Sequence, residues 1–283
     1  MNYSELQRKG RDRLREASIE DNESDSRLLL EHVFDLDRNF LYLHGSDVIE
    51  DEKAADTYLQ LIEKRCMHIP TQHLRGKADF MGLEFIVNDK VLIPRIDTES
   101  LVEEAMLLLN DGMKVLDMCT GSGCILLSLM NYKNDIEGWG LDISEEALLV
   151  AKENAKRLGI DARFIKSDLF QAIEGEKFDM IISNPPYIAS GEIKELMEEV
   201  RDHDPIMALD GGRDGLDFYR RISSLSKEHL YIGGKLLYEI GFDQGEKVRK
   251  ILEAEGYSSI RIIKDLSGND RVAVCERGLH NVR

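Results

Sequence analysis

The 283-residue sequence predicts an α/β fold, in which a mostly parallel sheet with helices on both faces follows a small helical domain. From residue 113 onward, short apolar runs alternate with helical segments, which is typical of a parallel sheet covered by helices. No strand-like alternation occurs before residue 80. The last two strand-like runs have only a short segment around residues 265–270 between them, so they predict an antiparallel hairpin at a sheet edge.

The first 76 residues predict the helical domain. Residues 3–18 and 50–67 have helical patterns, and between them Asn22 or Ser24 caps a third apolar segment. Residues 77–94 predict a β-hairpin linker, because two β-prone runs flank Asn88 and Asp89. Pro94 ends the linker, and Asp97 or Thr98 is expected to cap the next helix.

Residues 95–283 form the predicted sheet domain. Its expected strands are residues 114–118, 138–143, 162–166, 178–183, 235–240, 260–263 and 271–275. Its main expected helices are residues 124–130, 144–158, 214–229 and 243–255.

The composition, net charge and apolar pattern of the sequence argue against several classes of protein. The net charge of −17 disfavours a protein that holds duplex DNA through phosphate contacts, which need clustered Lys and Arg. The four cysteines have no metal-binding spacing and are expected to be reduced thiols of a cytoplasmic protein. No apolar run approaches the roughly 20 residues of a membrane span. The polar N-terminus does not resemble a secretory signal.

A glycine-rich turn after the strand at residues 114–118 predicts a nucleotide-type ligand. Gly121 and Gly123 allow a sharp bend and close approach of the backbone to a ligand. Leu126 stands where a dinucleotide fingerprint has its third glycine, which disfavours pyrophosphate. Asp142 ends the next strand, where a carboxylate can accept both hydroxyl protons of a ribose or can cap the following helix.

The segment Asn184-Pro185-Pro186-Tyr187 carries the predicted chemistry. Two prolines stiffen the loop and remove two backbone donors. The Asn184 side-chain oxygen and the Pro185 carbonyl can each accept a hydrogen from a planar NH2 group, on which Tyr187 can stack. This pattern favours a site that orients an amide or an exocyclic amine.

The combined motifs resemble the class I methyltransferases that use S-adenosylmethionine (AdoMet), and within them the HemK/PrmC family. The resemblance implies a Rossmann-like sheet and covers residues 70 to 275. It rests on PTQHLRGKADFMGLEF, LIPRIDTESLVEEA, VLDMCTGSGCILLSL, GLDISEEALLVAKENA, FDMIISNPPYI, DPIMALDGGRDGLDFYR, GGKLLYEIGFDQGEKV and DLSGNDRV. Three positions depart from the usual family residues: His73, Ile96 and Asp204.

The resemblance implies methylation of the glutamine amide in the Gly-Gly-Gln motif of peptide chain release factors, with no metal and no direct contact to nucleic acid. It implies that the helical domain recognises the release factor, and that Arg95 and Glu99 shape the substrate entrance or form an interdomain ion pair. The implied substrate residues are Asn184, Pro185, Pro186 and Tyr187. The implied AdoMet residues are Cys119, Thr120, Gly121, Ser122, Gly123, Asp142, Leu169 and Asn184.

Three alternatives stay open at this point. An adenine-specific DNA methyltransferase could use the same loop, although it must also flip a base and hold DNA. A non-catalytic AdoMet-binding protein would not need the amide site. An NAD-dependent oxidoreductase is disfavoured by Leu126.

Overall fold

The computed structural model describes residues 1–278. The α-helices are α1 (Tyr3–Glu16), α2 (Asn22–Phe34), α3 (Arg38–His44), α4 (Glu52–Arg65), α5 (Thr71–Arg75), α6 (Ile96–Leu108), α7 (Cys124–Tyr132), α8 (Glu145–Leu158), α9 (Glu198–His203), α10 (Ile206–Leu209), α11 (Asp217–His229) and α12 (Gly245–Ala254). The strands are β1 (Lys77–Phe80), β2 (Leu83–Ile86), β3 (Lys114–Met118), β4 (Glu137–Asp142), β5 (Arg163–Lys166), β6 (Phe178–Ser183), β7 (Leu230–Glu239), β8 (Ser258–Lys264) and β9 (Asp270–Glu276). A 3₁₀ turn at Ile193–Glu195 precedes α9.

The described chain divides into two compact units. The helical unit comprises Met1–Lys77 together with Met197–His203, and the sheet unit comprises the remainder. The segment Met197–His203 lies within the residues predicted for the second domain, yet its contacts are with the helical unit. Arg65 explains this grouping, because its buried guanidinium pairs with Asp25 of α2 and with Glu199 of α9.

The helical unit is organised around a single apolar core. Side chains from α1, α2 and α4 fill it, including Leu6, Leu30 and Tyr58. Helix α2 begins at Asn22 itself, with Asp21 at the cap position and no side-chain cap bond, so neither Asn22 nor Ser24 has the predicted capping role. Helices α3 and α5 were not predicted, since each is too short for a clear periodic pattern.

The predicted β-hairpin forms, but its turn lies elsewhere. Met81 and Gly82 join β1 to β2, both with positive φ, as the two-residue turn of a tight hairpin requires. Asn88 and Asp89 follow β2, so the prediction that they form the turn is wrong. Their polar character did not distinguish a turn from a loop outside the hairpin.

The sheet unit contains seven strands in the order β5-β4-β3-β6-β7-β9-β8. Strands β3 to β7 are parallel, and β9 runs antiparallel to both β7 and β8. The predicted α/β fold and its antiparallel C-terminal hairpin are therefore confirmed. Alternate residues of each strand enter two cores: Leu116 and Leu236 face the core with α11 and α12, whereas Val115 and Leu237 face α6 and α7.

Two helix starts in the sheet unit differ from the sequence prediction. Helix α6 begins at Ile96, so Asp97 and Thr98 lie in its first turn and do not cap it. Helix α11 begins at Asp217, because Asp214 belongs to the preceding turn and accepts a hydrogen bond from the Leu216 amide. Among the described residues, no helix combines the length and apolar character required to cross a membrane.

Candidate active site

The strand register places three predicted site segments side by side. Met118 at the end of β3 is level with Leu141 of β4 and with Ser183 of β6. The next residues, Cys119, Asp142 and Asn184, therefore lie side by side at the carboxyl ends of the three strands. The chain turns to opposite sides after β3 and β6, and such a switch point leaves a crevice for ligands at the carboxyl ends of the strands.

The glycine loop after β3 is fixed by a buried carboxyl group. The Thr120 hydroxyl donates to Asp117 Oδ2 at 2.6 Å, and Asp117 has no solvent exposure. Burial raises the pKa of Asp117 to about 7, against the smaller lowering effect of the Thr120 hydrogen bond. Asp117 thus braces the loop through Thr120.

The backbone of this loop bends sharply and has free space beside it. Cys119, Gly121 and Gly123 all have positive φ, which is strained for the cysteine. A Cβ added at Gly121 would meet no protein atom within 4 Å. The loop therefore offers an unobstructed stretch of backbone to a ligand.

Asp142 links the glycine loop to the start of α8. Its Oδ2 accepts from the Gly121 amide at 2.9 Å, and its Oδ1 accepts from the Ser144 amide at 2.9 Å. Burial raises its pKa, while these backbone hydrogen bonds act in the opposite direction. Ser144 is the side-chain cap of α8.

The segment after β5 adds a third wall. Leu169 is buried with a φ of 49°, and its carbonyl accepts from the Ser167 hydroxyl at 2.6 Å. Asp168 next to it pairs with Arg221 of α11 at 2.8 Å. Leu169 therefore has a backbone conformation that is uncommon for leucine. Its apolar side chain gave no chemical reason to expect a ligand site at this position.

The Asn184–Tyr187 loop is held from two sides. The Asn184 side-chain amide donates to the Thr98 hydroxyl at 3.3 Å, which leaves its side-chain oxygen free of that contact. The Tyr187 hydroxyl donates to Glu239 at 3.3 Å, and its carbonyl accepts from the Gln244 side chain at 2.9 Å. The stacking expected of Tyr187 stays a prediction.

A cavity of about 460 Å³ joins these segments. This volume lies within the range of small-molecule sites. Every residue predicted for the cofactor lines it except Gly123, which lies next to it in the loop: Cys119, Thr120, Gly121, Ser122, Asp142, Leu169 and Asn184. Of the predicted substrate residues, Asn184 and Pro186 line the cavity, whereas Pro185 and Tyr187 are not among its lining residues.

Several lining residues were missed by sequence reasoning. Thr98, Met207, Phe218 and Arg221 reach the cavity from α6, α10 and α11. Only the shared family segments around them could have indicated these positions, because their side chains are not of a distinctive chemical type.

Arg95 and Glu99 each have a partner within the sheet unit. Arg95 pairs with the buried carboxylate of Asp204 at 2.5 Å, and Glu99 accepts from the Met81 amide at 2.6 Å. Asp204, which was expected to depart from the family pattern, thus pairs with a cavity-lining arginine.

Family models match two regions of the chain: the PrmC N-terminal domain at residues 5–76 and the methyltransferase small domain at residues 94–203. The release factor glutamine methyltransferase of Clostridium acetobutylicum is 46% identical over 271 residues, covering 94% of this chain and 95% of that relative. The chain belongs to the release factor glutamine methyltransferases. The family enzyme of Geobacter sulfurreducens is 37% identical, with 92% of this chain and 91% of the relative covered.

A solved structure supports the fold of this release factor glutamine methyltransferase family member. A methyltransferase from Pyrococcus furiosus matches with a TM-score of 0.55 and 20% identity, covering 70% of this chain and 90% of that one. This similarity concerns the arrangement of strands and helices alone. The resemblance inferred from the motifs is confirmed by the sequence relatives.

Proposed function

We propose that this protein transfers a methyl group from AdoMet to the side-chain amide nitrogen of the glutamine in the Gly-Gly-Gln motif of peptide chain release factors. One observation carries the proposal: the glycine loop and Asn184 line the same cavity. In this site, a loop that can bind a nucleoside-type methyl donor lies next to hydrogen-bond acceptors for a planar amide. Membership of the family supports the same reaction.

The residues present fit AdoMet. The free space beside Gly121 accommodates a ligand against the backbone, and Asp142 provides a carboxylate at the cavity wall. We assign Asp142 to the ribose hydroxyls, Cys119 to Gly123 to the amino-acid portion, and Leu169 to the adenine side. AdoMet, when bound, supplies a methyl group on a positively charged sulfur.

The Asn184 loop orients the nucleophile. An amide nitrogen is a weak nucleophile, because its lone pair is delocalised into the carbonyl group. The Asn184 oxygen accepts one amide hydrogen and holds the nitrogen in line with the methyl group. We assign the second hydrogen to the carbonyl of Pro185, which lies in the chain between the cavity-lining residues Asn184 and Pro186. Such orientation contributes up to roughly 7–11 kcal/mol in favourable cases. The same acceptors stabilise the positive charge that develops on the nitrogen, and the proton leaves afterwards through Asn184 or water.

The helical unit is our candidate for recognition of the release factor. Tyr42 and Leu43 of α3 are exposed apolar side chains of the kind that protein interfaces use. We expect the Tyr42→Ala, Leu43→Ala double variant to raise the KM for an intact release factor and to leave methylation of a short Gly-Gly-Gln peptide unchanged. Leu107→Ala, which truncates an equally exposed leucine of α6, is the matched control. An unchanged KM for the intact factor would remove α3 from the recognition surface.

Mass spectrometry of a purified release factor after incubation with enzyme and AdoMet tests the reaction. We expect a gain of one methyl group on the peptide that contains the Gly-Gly-Gln glutamine. Duplex DNA with adenine targets provides the comparison substrate. Methylated adenine in place of methylated glutamine would overturn the proposal in favour of a DNA enzyme.

A further inference from the structure

Glu239 is a buried acid immediately behind the Asn184–Tyr187 loop. It is the last residue of β7, and only 2% of its surface is exposed. Tyr238 is level with Ser183 of β6, so Glu239 and Asn184 are neighbours at the carboxyl ends of two adjacent parallel strands. A carboxyl group is costly to bury in this position unless it has polar partners.

The partners of Glu239 belong to the loop and its support. Tyr187 donates its hydroxyl to Glu239 Oε1 at 3.3 Å. Tyr219 of α11 donates to the backbone carbonyl of Glu239 at 3.0 Å, which fixes the strand end. The Thr98 hydroxyl, which accepts from Asn184, also favours the charged form of Glu239. Both ends of the loop are therefore connected to the Glu239 side chain, Tyr187 directly and Asn184 through Thr98.

The charges around Glu239 have opposing effects. Arg271 of β9 favours the carboxylate, but this arginine is shared with Asp97 and Asp265. Asp97 of α6 disfavours the carboxylate, and the pKa of Cys124 on α7 is raised mainly by burial and least by Glu239. Burial is the largest influence and raises the pKa of Glu239 to about 7.

We propose that Glu239 is a positioning residue for amide methylation, which holds the Asn184–Tyr187 loop in its working geometry by accepting the Tyr187 hydroxyl. The inference rests on the proposed function and extends it to a residue that does not line the cavity. An ionised carboxyl group accepts the tyrosine hydroxyl more strongly than a neutral one, since charge-assisted hydrogen bonds are about twice as strong. The loop is then best ordered when Glu239 is charged.

This arrangement gives turnover a dependence on pH. As the pH rises from 6 to 8, Glu239 loses its proton and kcat is expected to rise with an inflection near 7. Glu239→Gln keeps the shape and an acceptor oxygen but removes the charge. We expect its kcat at pH 8 to fall about 10- to 100-fold, as misplacement of a reacting group does. The KM for AdoMet should stay unchanged, and the inflection should disappear.

Glu276→Gln is the matched control. Glu276 ends β9 and pairs with Lys235, which lies in the middle of the same strand β7, four residues before Glu239. Its kcat and pH profile should equal those of the unmodified enzyme. A Glu239→Gln enzyme with normal kcat would overturn the inference. So would a reduced kcat that keeps the inflection near pH 7, because that result indicates a structural role alone.

A second measurement does not depend on turnover. With ¹³C-labelled glutamate carboxyl groups, NMR titration follows Glu239 in the unmodified protein and in Tyr187→Phe. Loss of the donated hydroxyl should raise the Glu239 midpoint, because that hydrogen bond favours the charged form. An unchanged midpoint would overturn the inference even if the enzyme methylates release factors. A raised midpoint in a protein that methylates no release factor would instead locate the failure in the proposed function.

Discussion

Arg65 and Glu199 are 134 residues apart in the sequence, and their side chains lie 2.5 Å apart in the helical unit. The same guanidinium donates to Asp25 at 2.6 Å. Arg65 is 3% exposed and Asp25 is 7% exposed, so the second pair is withdrawn from water. One buried arginine therefore ties α2 and α4 to a segment that follows the Asn184–Tyr187 loop in the chain.

Arg65→Ala should destabilise the helical unit strongly. It leaves Asp25 buried without its cation, and loss of one partner of a buried ion pair typically costs about 3–5 kcal/mol. Urea unfolding followed by circular dichroism measures the loss. Arg13→Ala removes an arginine from the exposed pair with Glu63 and should have a much smaller effect. An equal loss of stability in the two variants would contradict the prediction that the buried ion pair contributes more than the exposed one.

Asn184→Ala should lower turnover with little change in AdoMet affinity. The variant removes a preorganised acceptor for the charge that develops on the amide nitrogen, and such losses reduce kcat by about 10²-fold or more. Stopped assays on a release factor measure turnover, and calorimetry measures AdoMet binding. Asn134→Ala, at an exposed asparagine, is the control. Near-normal methylation by Asn184→Ala would refute the amide clamp.

Asp142→Ala should act mainly on AdoMet affinity. It removes the carboxylate proposed for the ribose and also the acceptor for the Gly121 amide. Hydrogen bonds to a charged group contribute about 1.5–3 kcal/mol, so the Kd should rise about 10- to 150-fold. Asp168→Asn changes a cavity carboxylate that pairs with the half-exposed Arg221, and its Kd should rise less. A larger effect at Asp168 would reassign the ribose contact.

Stability should fall as the pH rises from about 4.5 to 7 through Asp117 and Glu239. Burial raises the pKa of each to about 7, above the ordinary values of 3.8 for Asp and 4.5 for Glu, which apply to the unfolded chain. The folded state then binds more protons across this window, so its stability is greatest below it and is lost as each group ionises. Each carboxyl contributes a slope of up to about 1.4 kcal/mol per pH unit.

Urea unfolding from pH 5 to 8 checks this dependence. Asp117→Asn and Glu239→Gln should each flatten the slope, because the replaced groups do not titrate. Glu276→Gln should leave the slope unchanged. If the free energy of unfolding changed with pH equally in all four proteins, neither buried acid would hold a proton in the folded state over this pH range.

Local sequence patterns were sufficient to predict most of the sheet unit. Buried strands and amphipathic helices have distinct periodicities, and β3 and β6 match their predicted bounds. The predicted position of the hairpin turn and the predicted capping residue of α6 were wrong. Several polar residues there could serve as turn or cap, and packing decides which of them does. The short helices α3 and α5 depend on contacts within the helical unit.

Residues that are neighbours in the chain were enough to predict the class of fold, the glycine loop, the acidic strand end and the acceptor-rich Asn184–Tyr187 loop. Tertiary structure decided that these segments meet at one cavity, since strand order and register are set by packing across the sheet. It also decided the contacts of Thr98, Glu239 and Arg65. Their partners come from distant parts of the chain, so only folding brings them together.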